Sequence, residues 1–191
     1  MAGIVLASQS PRRKQLLEWA NIPFDVMVRE TDESYPDGMP PQEVPVYIAR
    51  NKAISVINSA EYQRYEQGRI VIAADTIVEL NGEIIGKPIA KDQAIEILTK
   101  LSGQVHNVIT GVVIRKMEEE IAFSDLTEVK FHDITLNDII YYVEKYQPYD
   151  KAGAYAIQEW IGVIGIEWIR GDFYNVMGLP VSRVVKALAE W

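Results

Sequence analysis

One apolar stretch organises the chain: Ile-Val-Ile-Ala-Ala-Asp-Thr-Ile-Val-Glu-Leu at residues 70–80. It is rich in β-branched residues and has no helical period, so it predicts a buried strand. Asn81-Gly82 follows, the dipeptide best suited to a two-residue hairpin turn. Residues 83–87 are therefore expected to return beside this strand and bring Lys87 toward Asp75. Upstream, residues 3–7 predict a short buried strand. Ser10-Pro11 then supplies a helix start, with a capping serine and a proline at the first helical position. That helix is expected to reach about Ala20, with Leu16, Leu17 and Trp19 as its apolar contribution. A second strand is predicted at residues 24–28 and a second helix at residues 43–58. The stretch from Glu30 to Pro45 is polar and holds four prolines, as expected of an excursion at the rim of a site.

Beyond the hairpin, residues 92–101 predict a helix stopped at Ser102-Gly103. Residues 105–115 and 121–131 read as two long strands about the turn at Glu118-Glu119-Glu120. Thr135-Leu-Asn-Asp138 marks another helix start, continuing to about Lys145. A loop at residues 147–158, a strand at 163–169 and a final helix opened by Pro180 complete the pattern. Strands and helices in this order indicate an α/β protein, a mixed β-sheet with flanking helices.

Within that frame, charge stands where apolar structure is expected. Asp75 sits inside the central strand, and an ionised carboxylate there must be paired, hydrogen-bonded or metal-bound. Two readings stay open: a structural Asp–Lys pair, or a site for an anion, a metal or both. Arg12, Arg13 and Lys14 crowd the first turn of a helix, where the backbone already carries partial positive charge. Either they form a solvated basic face or an anion such as phosphate binds at that end. Lys52 lies between Ile48 and Val56, and Arg50 between Val46 and Ile54, each pair four residues away on the same helical stripe. One of these cations can snorkel to solvent; Lys52 is the candidate for reaching into a site. His106 and His132, the only histidines, lack any metal-ligand or nucleophile pattern and read as structural. No nucleophile elbow, Walker loop or dinucleotide fingerprint is present.

Composition narrows the field further. The 191 residues suit one sizeable domain, and the absence of cysteine excludes disulfides, thiol nucleophiles and zinc–thiolate sites. A formal net charge of −8 argues against binding to nucleic acid or anionic membrane. The opening segment reads as a first strand rather than a leader, and no apolar run reaches the roughly 20 residues of a membrane span. A cytoplasmic location is the default expectation.

Taken together, the segments Ser8-Gln-Ser-Pro-Arg-Arg13, Ala49-Arg-Asn-Lys-Ala53, Ala74-Asp-Thr76, Gly86-Lys-Pro88, Leu101-Ser-Gly-Gln-Val-His106, Thr110-Gly-Val112, residues 150–158 and Gly178-Leu-Pro180 resemble the Maf family across the whole chain. Members were first described as septum-formation inhibitors and act as nucleoside triphosphate pyrophosphatases. The pattern of Lys151, Ala154-Tyr155 and Gln158 is similar to the dTTP/UTP-hydrolysing branch. Ala156 stands where that branch often has glycine. The resemblance implies a single domain over residues 1–191, with two lobes around a cleft as in inosine-triphosphate pyrophosphatases. It also implies a homodimer and dependence on Mg²⁺ or Mn²⁺. By family position, Asp75 is the catalytic proton acceptor and, with Glu33, a metal ligand. Ser8, Arg12, Arg13, Lys52 and Lys87 face the phosphates of the nucleotide, while Thr76 and Gln158 bear on base choice. The rival reading is a non-catalytic nucleotide-binding regulator of cell division, against which two carboxylates beside a polyanion weigh.

Overall fold

In the computed structural model, residues 3–64 and 69–191 are described. They form a mixed seven-stranded sheet with helices. The strands are β1 (Ile4–Leu6), β2 (Phe24–Val26), β3 (Ile70–Leu80), β4 (Glu83–Ile85), β5 (Val105–Lys116), β6 (Glu119–Phe131) and β7 (Ile166–Arg170). Their order is β2-β1-β3-β5-β6-β7, with β4 attached to β3. The helices are α1 (Pro11–Trp19), α2 (Val44–Ile57), α3 (Lys91–Leu101), α4 (Leu136–Tyr146), α5 (Trp160–Gly165), α6 (Phe173–Met177) and α7 (Val181–Leu188). The chain divides into two compact units. The first holds Met1–Asp75, Thr110–Asp125 and Gly178–Trp191; the second holds Thr76–Ile109 and Leu126–Met177.

In the first unit, β1 pairs in parallel with both β2 and the start of β3, and its three residues are fully buried. Val5, Ala7, Val71 and Ala73 from these strands pack against Ala49, Ala53 and Val56 of α2, with Met27 and Val113. Small residues on the inner face of α2 let helix and sheet approach closely. Gly111 of β5 shows how closely, because a Cβ there would overlap the backbone of Pro45 and Val46 at the start of α2. The α1 start is as expected: Ser10 Oγ accepts the Arg13 N–H at 3.5 Å, with Pro11 opening the helix. Leu16 and Leu17 are buried, but Trp19, expected with them, is 57% exposed.

In the second unit, the β3–β4 hairpin turns through Asn81 (φ 54°) and Gly82 (φ 86°), the left-handed pair its sequence predicts. Pairing runs from Leu80↔Glu83 to Val78↔Ile85 and stops there, two residues before Lys87. The predicted α4 cap forms, with Thr135 Oγ1 accepting the Asp138 N–H at 3.2 Å. The strand predicted at residues 163–169 is corrected: residues up to Gly165 belong to α5, and β7 begins at Ile166. The amides of Gly162 and Val163 both donate to the Glu159 carbonyl, at 2.9 and 3.2 Å, closing a helical turn. A Cβ at Gly162 would overlap the Ile157 carbonyl, so this glycine permits a turn that its β-branched neighbours alone do not favour. The segment read as a glycine-punctuated loop near Gly171 contains α6, held by Asn175. That buried amide donates to the Val108 carbonyl and to Thr127 Oγ1, both at 3.0 Å.

Candidate active site

Six of the residues singled out from the sequence meet in the first unit. Asp75 stands in β3, where the strand is buried on both sides, and is itself only 7% exposed. Its partner is Lys52 of α2, whose Nζ lies 2.7 Å from Asp75 Oδ1. The same ammonium lies 2.7 Å from Glu33 Oε1, brought in by the proline-rich segment between β2 and α2. Lys52 therefore bridges two carboxylates, one buried and one half exposed (48%). Its placement follows from the helix register. Lys52 precedes the buried Ala53, so its stem runs along the apolar stripe while its head reaches past the stripe's edge. Arg50, the other oddly placed cation, is paired with Glu120 at 2.9 Å and has a structural role.

Arg13 is the buried cation of this unit among the described residues. The turn after β1 places Ser8 so that its Oγ accepts from Arg13 Nη1 at 3.2 Å and from the Ser10 amide at 3.2 Å. Arg13 Nε donates to the Gly178 carbonyl at 2.7 Å. Burial holds the Arg13 guanidinium below its ordinary pKa; Asp75 and Glu33 oppose that shift and Arg12 adds to it. These electrostatic partners place Arg12, Arg13, Glu33 and Asp75 in one neighbourhood. Arg13 is thus not part of a solvated basic face, and the unfavourable cation in the first turn of α1 serves an interior position. Three cations face two carboxylates here, an excess suited to an anion of several charges.

The remaining residues lie in the second unit. Thr76 follows Asp75 on β3 and is half-buried; Lys87 is exposed just past β4. The Gly153 amide donates to the Gly86 carbonyl at 3.3 Å, which sets the loop at residues 150–158 beside the Gly86-Lys87-Pro88 segment. Gln158 ends that loop, exposed. Lys151, whose environment the sequence did not disclose, is buried between Asp150 and Glu159.

Among the described residues no group of three or more His, Cys, Asp or Glu is arranged to hold a metal ion. Asp75 and Glu33 nevertheless converge on a single cation, the Lys52 ammonium. Two carboxylates completed by phosphate oxygens and water are the donor set Mg²⁺ accepts, so these residues fit a divalent ion bound together with a nucleotide.

Both histidines, in the second unit, have surroundings of their own. His132 is exposed, 3.9 Å from Glu167. His106 is enclosed: Nε2 lies 2.8 Å from Tyr155 Oη, and its ring meets Phe131 edge-on at 5.0 Å. Burial lowers its pKa to about 4 and raises that of the Tyr155 phenol. An unfolded His106 takes up its proton near pH 6.5, and the folded one only near pH 4. The stability supplied by the neutral ring is therefore complete above pH 6.5 and is lost as pH falls from 6.5 to 4. The loss amounts to about 3 kcal/mol. Chemical denaturation of wild type and His106→Gln at pH 7, 5.5 and 4.5 checks this. The variant is expected to show a shallower pH dependence, and identical slopes would overturn the assignment.

No helix among the described residues is long and apolar enough to cross a membrane. Comparison with known proteins places the chain. The model of the family described as Maf-like protein matches residues 3–191. A protein of Cytophaga hutchinsonii named dTTP/UTP pyrophosphatase is 47% identical over 185 residues, covering 97% of this chain and 82% of its own length. Relatives of the same name from Parabacteroides distasonis and Bacteroides fragilis strain YCH46 are 47% and 44% identical, over 97% and 98% of this chain and 94% and 95% of their own. With the match running through β1, both carboxylates, the hairpin and the Gln158 loop to the last helix, the chain belongs to the Maf-like protein family.

Proposed function

We propose that this protein is a nucleoside triphosphate pyrophosphatase that hydrolyses dTTP and UTP to the monophosphate and pyrophosphate. The observation that carries the reading is the Lys52 ammonium held 2.7 Å from both Asp75 and Glu33, beside the buried Arg13. Relatives at 44–47% identity named dTTP/UTP pyrophosphatase support it. Residues 1–191 act as one catalytic domain, in the cytoplasm and as a homodimer.

In this mechanism Asp75 orients a water molecule and accepts its proton as the oxygen attacks the α-phosphorus. The bond from the α-phosphorus to the bridging oxygen breaks, and pyrophosphate departs with the bonding pair. Ser8, Arg12, Arg13 and Lys52 face the phosphates, the three cations offsetting the charge that develops and Ser8 offering a hydroxyl; Lys87 is assigned to the phosphates by family position. Arg13 is preorganised for this by Ser8 and the Gly178 carbonyl, so little rearrangement is needed when substrate arrives. Asp75 and Glu33 would hold a divalent cation, Mg²⁺ or Mn²⁺, which when bound would supply further positive charge to the phosphates. Thr76 and Gln158 bear on base choice. An amide offers a donor and an acceptor together, matching the uracil or thymine edge, and a site built for one edge rejects bases that leave it unpaired.

A panel of nucleoside triphosphates, with products identified, tests the proposal. Wild type is expected to turn over dTTP and UTP much faster than ATP or GTP, releasing pyrophosphate and monophosphate. Gln158→Ala is expected to narrow that preference. A purine preference in the wild type would overturn the substrate assignment, and orthophosphate with a diphosphate would overturn the chemistry.

A further inference from the structure

Lys151 is the one lysine buried among the described residues, and burying an ammonium is costly unless its charge is matched. Its Nζ donates to Asp150 Oδ1 at 2.8 Å and lies 3.6 Å from Glu159 Oε1, so one side chain ties together the two ends of the loop. Glu159 is held in turn by Tyr142 of α4, whose phenol donates to Glu159 Oε2 and accepts the Ala156 N–H at 3.3 Å. Tyr142 is fully buried and stacks on Tyr146 with ring centroids 4.9 Å apart. Tyr155 bonds to His106 through its own phenol. The loop backbone passes through two successive left-handed residues, Gly153 (φ 69°) and Ala154 (φ 59°). A non-glycine residue in that region persists only where its surroundings over-determine it. From Gly153 to Ile157 the loop is buried, and Gln158 is the exposed residue that follows.

A connecting loop has no need of a buried cation, two carboxylates and a phenol to hold it. We propose that Lys151, Glu159 and Tyr142 form a latch that fixes the direction in which Gln158 is presented, making the three of them positioning residues for base selection. Resting on the reading of Gln158 as the base-reading group, the latch explains why a polar residue in a loop can discriminate at all. A freely rotating amide would lose in ordering much of what its hydrogen bonds contribute. Removing one member leaves Gln158 and the phosphate-facing residues chemically intact but loosens the loop backbone from which Gln158 projects.

Tyr142→Phe keeps the stacked ring and removes only the hydroxyl; Glu159→Gln keeps the shape and removes the charge. Each variant is measured beside wild type and Gln158→Ala for kcat and KM with dTTP and CTP, and for Tm. The latch variants are expected to lose about tenfold in selectivity for dTTP over CTP. The loss should fall mainly on the KM for dTTP, with kcat/KM for CTP little changed. Glu159→Gln carries the test if Tyr142→Phe does not fold, and Glu159→Asp is expected to recover part of the selectivity. A fall in Tm with selectivity unchanged would reduce the cluster to a structural role and overturn the proposal. Loss of selectivity in Gln158→Ala alone would do the same while leaving the base-reading role standing. Equal turnover of dTTP and CTP by wild type, with Gln158→Ala silent, would remove the base-reading role itself and the latch with it.

Discussion

Asp75→Asn is expected to lower turnover by about 10²–10⁴-fold, the scale set by removing a general base. The substitution preserves the volume of a side chain buried in β3, so the strand and its packing should survive. What disappears is the charge. The asparagine oxygen can still accept from Lys52, but it cannot take a proton from water, and it is a weaker ligand for a hard cation. Arg13, whose burial is partly offset by Asp75, also loses one compensating carboxylate. A modest fall in Tm is therefore compatible with the proposal, and collapse of the fold is not. Pyrophosphate release and thermal unfolding measured on the same preparation separate these effects. A variant that melts normally and keeps more than a third of wild-type activity would exclude Asp75 as the base.

The second large effect is expected at Lys52. Lys52→Ala removes a positioned cation from a site that must stabilise developing phosphate charge, and losses of about 10²–10³-fold are typical for one such group. Arginine is not expected to restore activity, because a planar fork cannot take the place of a compact ammonium between two carboxylates. The same variant carries a second expectation of opposite sign. Lys52 bridges both carboxylates that are proposed to hold the divalent ion, so like charges compete for the same oxygens. Nucleotide-free Mn²⁺ binding, followed by electron paramagnetic resonance, is therefore expected to tighten in Lys52→Ala even as turnover falls. Unchanged Mn²⁺ affinity together with full activity at substrate concentrations below KM would show that Lys52 is only a structural partner of Asp75 and Glu33.

The features legible in the amino-acid order were those with local causes. Ser10-Pro11 and Thr135 start helices because a side-chain oxygen meets an amide three residues on, and Asn81-Gly82 makes a hairpin because both tolerate positive φ. Lys52 and Arg13 are legible for a related reason: each breaks a short-range rule, a cation on an apolar stripe or at a helix start, and such conflicts mark functional sites. Where local preference and packing disagreed, the sequence misled. Ile161, Val163 and Ile164 favour a strand, yet the close passage of Gly162 over Ile157 makes the segment helical. Trp19 fits an apolar register and still faces outward.

By itself, then, the sequence determined the order of most strands and helices, the hairpin, and the identities of the charged residues that could not be accidental. Only the tertiary structure decided how those charges are paired. Lys52 meets Asp75 across 23 residues and Arg13 meets Gly178 across 165. No local preference encodes contacts of that span. They form because burial of the apolar faces brings the elements together, and a charge carried into that interior is tolerated only where a distant partner is carried in with it.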